Sequence, residues 1–300
     1  METPFKFKYF HGYNSIKLRY GFTQIKNPRG IVLLLQGRAE FIEKYSRIAD
    51  FLNSKGYDVL SLDWRGQGLS EREIDDRHKG YVKDFNYYLY DLEIFYHKIL
   101  VSYPHDIFLL SHSMGGHIAL RFLQEKTHSI KKAVFASPLF GIKTLLFPEL
   151  LTKNLSYRAC TNGFEKNYTP GGQKYKANRF NTKSSILSHD FEQLSIQVNE
   201  MKKNPELYTG GVTWGWLHAA FESIDIIMKE DYGSTIKIPV SIVNAAKDKL
   251  VTKNSQKKIS RQIPNSSFIS IPDSFHEIMF EKKEIRNLFW ENFYKFIELS

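Results

Sequence analysis

Ile107-Phe108-Leu109-Leu110-Ser111-His112-Ser113-Met114-Gly115-Gly116 is the stretch on which the reading of this chain turns. Its first four residues are an apolar run suited to a buried strand. His117 to Gln124, directly after it, reads as a helix. A strand, a sharp turn around a central serine and then a helix is the setting of a nucleophile elbow. Such a turn strains the backbone of the serine and brings the flanking elements close, so its neighbours must be small. The usual pattern is G-x-S-x-G, and here Ser111 stands at the first glycine. Serine is small, and Ser111 reads as a tolerated variant. Ser113 could instead serve as a simple helix N-cap; the Met-Gly-Gly that follows favours the elbow.

Outward from this stretch, strand-like and helix-like segments alternate. Phe5 to Phe10 and Ile16 to Phe22 suggest an opening hairpin through Gly12-Tyr13-Asn14. Ile31 to Gln36 is a continuous apolar run, as expected of a strand covered on both faces. Phe41 to Lys55 reads as a helix, with Phe41, Tyr45, Ile48, Phe51 and Leu52 on one stripe. Tyr57 to Leu62 is the next strand. Asp84 to Tyr103 is a long helix ended by Pro104, and Ala133 to Ala136 is a strand. This order predicts an α/β fold with a mostly parallel, doubly wound sheet. From Pro138 to about Ile227 no clear strand appears, whereas Asp190 to Lys203 and Thr213 to Lys229 look helical. Residues 138–227 are therefore expected to form an inserted, mainly helical cap, and residues 1–137 and 228–300 the core. Strands resume at Ile238 to Asn244 and Phe268 to Ile271, and a last helix runs from Glu284 to Leu299.

Composition sets limits on the class. Over 300 residues, 42% hydrophobic and 25% charged is ordinary for a globular protein with an adequate core. The longest strictly aliphatic run, Ile31 to Leu35, is far short of the ~20 residues that span a bilayer. Met1 to Phe10 carries no apolar signal core, so export is not indicated. Cys160 is the single cysteine, which excludes an internal disulfide and fits a reducing, cytoplasmic compartment. The net charge of +10 is scattered and no nucleic-acid motif accompanies it, which argues against nucleic acid as a partner. Peripheral attraction to an anionic membrane, at its inner face, and a merely solvated surface are both compatible with that charge. The oligomeric state is not readable.

A serine hydroxyl is a weak nucleophile at neutral pH and needs an adjacent base, which in turn needs an orienting acid. In this type of fold the chain order is Ser, acid, His. Asp248 follows the late strand-like run Ile238 to Ala246, and His276 lies in the loop after Phe268 to Ile271. All three would sit at the carboxyl ends of strands, where open α/β sheets place their sites. Taken singly, Asp248 could be a turn residue and His276 a surface histidine; their order after the right strands joins them to Ser113. Oxyanion donors are expected from the Met114 N–H, at a helix start, and the Arg38 N–H in the loop Gln36-Gly37-Arg38-Ala39-Glu40. His112, His117, His189 and His218 lack metal-ligand spacing and are expected in packing or surface roles. One cysteine excludes a thiolate zinc site.

On these residues the chain resembles α/β-hydrolases of the monoacylglycerol lipase and bacterial lysophospholipase group. The resemblance rests on Gln36 to Glu40, Asp63-Trp64-Arg65-Gly66-Gln67-Gly68-Leu69-Ser70, the Ser113 elbow, and Ser274-Phe275-His276-Glu277-Ile278. Gly210-Gly211-Val212-Thr213-Trp214-Gly215-Trp216 is similar to a G-G-x-T-x-x-W stretch of the lysophospholipase members. It runs from about Tyr9 to Phe296. Most relatives have His-Gly where this chain has Gln36-Gly37. The resemblance implies a serine carboxylic-ester hydrolase acting on single-chain lipids, a lysophospholipid or a monoacylglycerol. Ser113 would attack the ester carbonyl and His276 would activate water for release of the acyl group. No metal or organic cofactor is implied. An acyltransferase, a small-ester esterase, a peptidase with an acidic amine site and a non-catalytic binding protein are the alternatives. Asp63 and Arg65 are expected to pair structurally. Trp214, Trp216 and Phe221 would line an acyl pocket or form the core of the cap. Lys174, Lys176 and Arg179 would meet a phosphate head group or face water.

Overall fold

The structure, a computed structural model, describes residues 4–144, 147–175 and 185–298. Eight strands form one sheet in the order β1-β2-β4-β3-β5-β6-β7-β8. They are β1 (Lys6–His11), β2 (Lys17–Phe22), β3 (Gly30–Leu35), β4 (Tyr57–Leu62), β5 (Ile107–His112), β6 (Ile130–Ala136), β7 (Val240–Ala245) and β8 (Ser266–Ile271). β1 and β2 form the antiparallel hairpin, β2 is antiparallel to β4, and the remaining strands run parallel. Chain neighbours β3 and β4 are followed by a reversal of direction across the sheet, so β3 and β5 lie side by side. Their carboxyl ends meet where an open α/β sheet leaves a crevice.

The helices are α1 (Ser46–Ser54), α2 (Asn86–Phe95), α3 (Met114–Glu125), α4 (Glu149–Thr161), α5 (Phe191–Lys203), α6 (Trp214–Ile227), α7 (Lys253–Gln262) and α8 (Lys283–Glu298). Alternation along each strand divides the core in two. Ile31, Leu33 and Leu35 of β3 face one way, with Phe95 of α2, Ile118 and Phe122 of α3, and Ile259 of α7. Val32 and Leu34 face the other way, with Ile48 and Leu52 of α1 and Phe289 and Phe293 of α8. Covered on both faces, β3 is wholly apolar, as is the first part of β5, which is why these two read as continuous apolar runs.

The helix expected over Phe41 to Lys55 begins as a 3₁₀ turn, Ile42–Tyr45, before α1. The Asp63 carboxylate accepts the Ile42 N–H at 3.0 Å and holds that entry segment to the end of β4. The helix expected over Asp84 to Tyr103 is α2 followed by a wider π turn, Tyr96–Leu100. Between β6 and β7 the described residues contain α4, α5 and α6 and no strand of the sheet. No helix among the described residues is long and apolar enough to cross a membrane.

Candidate active site

Ser113 occupies the turn between β5 and α3 with φ 49° and ψ −115°, a left-handed conformation that a non-glycine residue holds only at a cost. Two glycines make the turn fit. A Cβ on Gly115 would lie 2.4 Å from the Leu35 carbonyl oxygen, so α3 packs directly on the end of β3. A Cβ on Gly116 would lie 2.8 Å from that of Pro138. The Ser111 hydroxyl has room on the same side, since the missing Cβ of Gly116 would stand 3.5 Å from it. Ser113 stands at the N-cap position of α3, yet its hydroxyl makes no capping bond.

That hydroxyl instead lies 2.9 Å from His276 Nε2. His276 comes from the loop after β8, and its Nδ1 lies 2.7 Å from Asp248 Oδ2. Asp248 follows β7, and its other oxygen accepts the N–H groups of Leu250 and Val251 at 2.7 and 3.1 Å. The structure thus brings together the three residues singled out in the sequence, all nearly buried. Burial pushes the Asp248 carboxyl up, but the His276 hydrogen bond and charge and the two backbone donors outweigh it and hold it below its ordinary value. An ionised carboxylate only accepts, so Nδ1 of His276 carries the hydrogen and Nε2 accepts from Ser113. This is the polarity in which a serine can surrender its proton to the imidazole.

Arg38 stands in the loop after β3, and Met114 is the first residue of α3, directly after Ser113. In the loop after β3 the Gly37 N–H donates to Glu40 and the Ala39 N–H to the Gln67 side chain. Neither the Arg38 nor the Met114 N–H has a hydrogen-bond partner among the described residues. The N–H groups on both sides of Arg38 are thus held while its own stays unengaged.

Beneath these residues lies a buried polar network that the sequence reading did not anticipate. Glu40 accepts from Lys44 at 2.7 Å, from the Tyr45 hydroxyl at 2.7 Å and from the Gly37 N–H, and its Oε2 lies 3.2 Å from His112 Nδ1. Lys44 also donates to Glu277 at 2.8 Å, and His112 Nε2 lies 3.2 Å from the His276 carbonyl oxygen. Burial opposes the charged form of Glu40, but Lys44 and His112 override it and hold the carboxyl well below its ordinary value. Burial likewise lowers His112, but Glu40 prevails and raises it. Glu40 and Glu277 fall inside the quoted loop motifs; Lys44 belongs to none of those motifs and not to the apolar stripe Phe41, Tyr45, Ile48, Phe51 and Leu52.

The expected pairing of Asp63 with Arg65 is not what the structure shows. Asp63 pairs with Arg19 of β2 at 2.6 Å and accepts from the N–H groups of Ile42 and Leu69. Arg65 makes a two-pronged contact to Asp91 of α2, at 2.6 and 2.8 Å, and reaches Glu73. Two residues apart in a loop, they face different strangers from distant segments. Both remain structural.

Ser113 and His276 open into a cleft of about 650 Å³ between the strand ends and the segment that carries α5 and α6. Of the three aromatic residues expected there, Trp216 lines the cleft. Trp214 and Phe221 are not among the lining residues; Phe221 is buried with the Lys153 ammonium 5.6 Å from its ring centre. Lys174 lines the cleft and lies 3.5 Å from Asp76, whereas Lys176 and Arg179 lie outside the described residues. His117 is buried and bonded to Ser223, and His189 lies 2.9 Å from Glu281. No group of three His, Cys, Asp or Glu among the described residues is placed to hold a metal ion.

Residues 26–283 match the family described as serine aminopeptidase, S33. The probable lysophospholipase L2 of Haemophilus influenzae is 31% identical over 94% of this chain and 88% of its own length. Lysophospholipase L2 of Escherichia coli K12 is 25% identical over 93% of this chain and 83% of its own. Among solved structures, a soluble variant of the monoglyceride lipase of Saccharomyces cerevisiae, in complex with a substrate analog, superposes with a TM-score of 0.77. That match has 19% identity and covers 99% of this chain and 97% of the other.

Proposed function

This chain is a hydrolase of the serine aminopeptidase S33 family, within the monoacylglycerol lipase and lysophospholipase group of α/β-hydrolases, and we propose that it cleaves the ester of single-chain lipids through an acyl-enzyme. The observation that carries the reading is the continuous hydrogen-bonded chain Asp248–His276–Ser113 opening into the cleft. Ser113 Oγ attacks the ester carbonyl as His276 Nε2 takes its proton. The carbonyl oxygen, now negative, is met by the N–H groups of Arg38 and Met114. His276 then protonates the departing alcohol, and a water molecule activated in the same way releases the fatty acid. Leu139, Ile142, Ile186, Leu217 and Leu250 give the cleft the apolar lining that an acyl chain needs. In this reading residues 1–137 and 228–300 are the catalytic core and 138–227 the cap over the acyl chain.

A fluorophosphonate probe tests the nucleophile. Wild type is expected to label, and Ser113→Ala to lose both labelling and ester hydrolysis, by on the order of 10⁴-fold or more in kcat. Labelling that survives Ser113→Ala would remove Ser113 from its role. Hydrolysis of p-nitrophenyl esters is expected to rise with acyl length; a strong preference for the shortest ester would point to a small-ester esterase. An aminopeptidase would need a free carboxylate in the cleft for the substrate amine. Glu40 and Glu277 are the acids among the described lining residues, and Lys44 binds both.

The same reading places the enzyme at the inner face of an anionic membrane. The charge of +10 and the exposed Phe147, Leu150 and Leu151 at and near α4 support it. Sedimentation with anionic vesicles that weakens between 0.05 and 0.5 M salt is the expected result, and equal binding to neutral vesicles the contrary one.

A further inference from the structure

The arginines that pack into this fold mostly hold carboxylates. Arg19 holds Asp63 and Glu43, Arg65 holds Asp91 and Glu73, and Arg121 holds Glu125. Arg72 is satisfied by the carbonyl oxygens of Gly68, Ser70 and Arg77. Arg38 differs from all of these. Its side chain lines the cleft beside Ser113 and His276, with one guanidinium N–H donating to the Gly210 carbonyl at 3.0 Å. Its Cζ lies 5.8 Å from the centre of the Trp216 ring. No carboxylate pairs with it among the described residues.

A guanidinium has five N–H donors, and that of Arg38, half-buried in the cleft wall, donates one to Gly210. Burial accordingly pulls the Arg38 pKa down, with Tyr88 and Glu40 only partly restoring it. Glu40 cannot serve as its counter-ion, because Lys44, Tyr45 and the Gly37 N–H already occupy that carboxylate. Glu277, the other acid in the cleft wall, binds Lys44 through one oxygen and makes no ion pair with Arg38. Among the described residues no carboxylate is paired with this cation, which leaves it open to an anion carried by the ligand.

The position of Arg38 says which part of the ligand carries that anion. Its backbone N–H is the oxyanion donor of the reaction proposed above, so the ester carbonyl sits at its main chain. Its guanidinium reaches about 6 Å from its own Cα, five bonds at ~1.5 Å each in a zigzag. In a lysophospholipid the phosphorus is six bonds from the ester carbonyl carbon, or about 7 Å when extended. One residue can therefore span both ends of that head group. A monoacylglycerol offers only a hydroxyl at the corresponding place.

Resting on the acyl-ester reading above, we propose that the Arg38 guanidinium binds the phosphate of a lysophospholipid head group and makes this chain select lysophospholipids over monoacylglycerols. The planar, forked guanidinium suits a phosphate's paired oxygens, and the Trp216 ring supports its other face.

The test uses ether lipids that cannot be cleaved. 1-O-decylglycero-3-phosphocholine and 1-O-decylglycerol are titrated into the full chain by calorimetry, below their micelle concentrations. Wild type is expected to favour the phosphocholine lipid by about tenfold or more, Arg38→Lys to keep part of that preference, and Arg38→Gln to bring it to about twofold or less. A wild type without the preference overturns the assignment, as does a folded Arg38→Gln that retains it. Ester turnover is read separately, as the ratio of kcat/KM for lysophosphatidylcholine and monoacylglycerol of one chain length. A common loss from a disturbed loop cancels in that ratio. A wild type that shows the binding preference but cleaves neither ester leaves the phosphate site standing and sinks the hydrolase reading. A wild type that cleaves both, with a ratio unmoved by Arg38→Gln, does the reverse.

Discussion

Asp248, behind His276, is held at both of its carboxylate oxygens. One oxygen is occupied by two backbone N–H groups and the other by His276, so the carboxylate is fixed as an acceptor and the imidazole is fixed in one tautomer. Asp248→Asn separates these two duties. The amide oxygen can still accept from Leu250 and Val251, while the amide NH₂ facing His276 Nδ1 would favour the opposite tautomer. The expected outcome is a melting temperature close to wild type with kcat on a p-nitrophenyl ester reduced on the order of 10⁴-fold. A loss below tenfold would mean that His276 needs no orienting acid. The pinned loop behind Arg38 offers a second test, since Lys44 is buried between two carboxylates at 2.7 and 2.8 Å. Lys44→Met leaves both uncompensated and is expected to cost roughly 3–5 kcal/mol in urea unfolding. A change under ~1 kcal/mol would show that solvent or His112 already balances them.

At the scale of elements, α3 and β3 meet at a glycine. Gly115→Ala would drive a Cβ against the carbonyl oxygens of Leu35 and Gln36, at 2.4 and 2.6 Å, both backbone and unable to swing aside. The elbow must then move relative to the oxyanion loop. Both the melting temperature and kcat are expected to fall, and normal values for both would contradict the close approach. The same closeness explains what could be read in the sequence. β3, β4, β5 and β7 are buried on both faces; β3 and the first part of β5 read as apolar runs, β4 and β7 as strand-like segments, and the loops that follow them could be ordered without any structure. Partnerships between loops could not. Asp63 and Arg65 looked like a pair because they are close in the chain, but their partners, Arg19 and Asp91, come from β2 and α2. Glu40 and Lys44 are i,i+4 neighbours, but His112 and Glu277 join them from β5 and from the loop after β8, and no periodicity encodes that meeting. The aromatic residues of α6 were ambiguous for a related reason. A helix facing both a cleft and its own neighbours carries apolar residues nearly all round, and only Trp216 of the three reaches the cleft.

For the molecule as a whole, the most informative titration is that of His117, which ties α3 to α6. Its Nδ1 lies 3.0 Å from the Leu139 carbonyl and its Nε2 2.6 Å from the Ser223 hydroxyl, to which Arg121 donates at 3.1 Å. The neutral ring satisfies all three: Nδ1–H donates to Leu139, and Nε2 accepts from Ser223. A second ring proton would displace the Ser223 hydrogen beside a fixed guanidinium. Burial and then Arg121 therefore push His117 down to about 3. Because the folded value is depressed, the unfolded chain binds the extra proton first. The stabilisation is complete above the ordinary histidine pKa of 6.5 and is lost as the pH falls from there toward 3, a loss on the order of 4 kcal/mol. His112 has the opposite sign. Its raised pKa gives stability that is already fully present below 6.5, so it adds no slope in that window. Glu40 and Asp248, both depressed, steepen the loss only at the acid end. Urea midpoints are expected to fall continuously from pH 7 to pH 4 in wild type. His117→Gln, which keeps a polar side chain but cannot titrate, is expected to start less stable at pH 7 and to lose markedly less on acidification. Parallel pH profiles for the two proteins would show that the acid sensitivity arises elsewhere than at this link between α3 and α6.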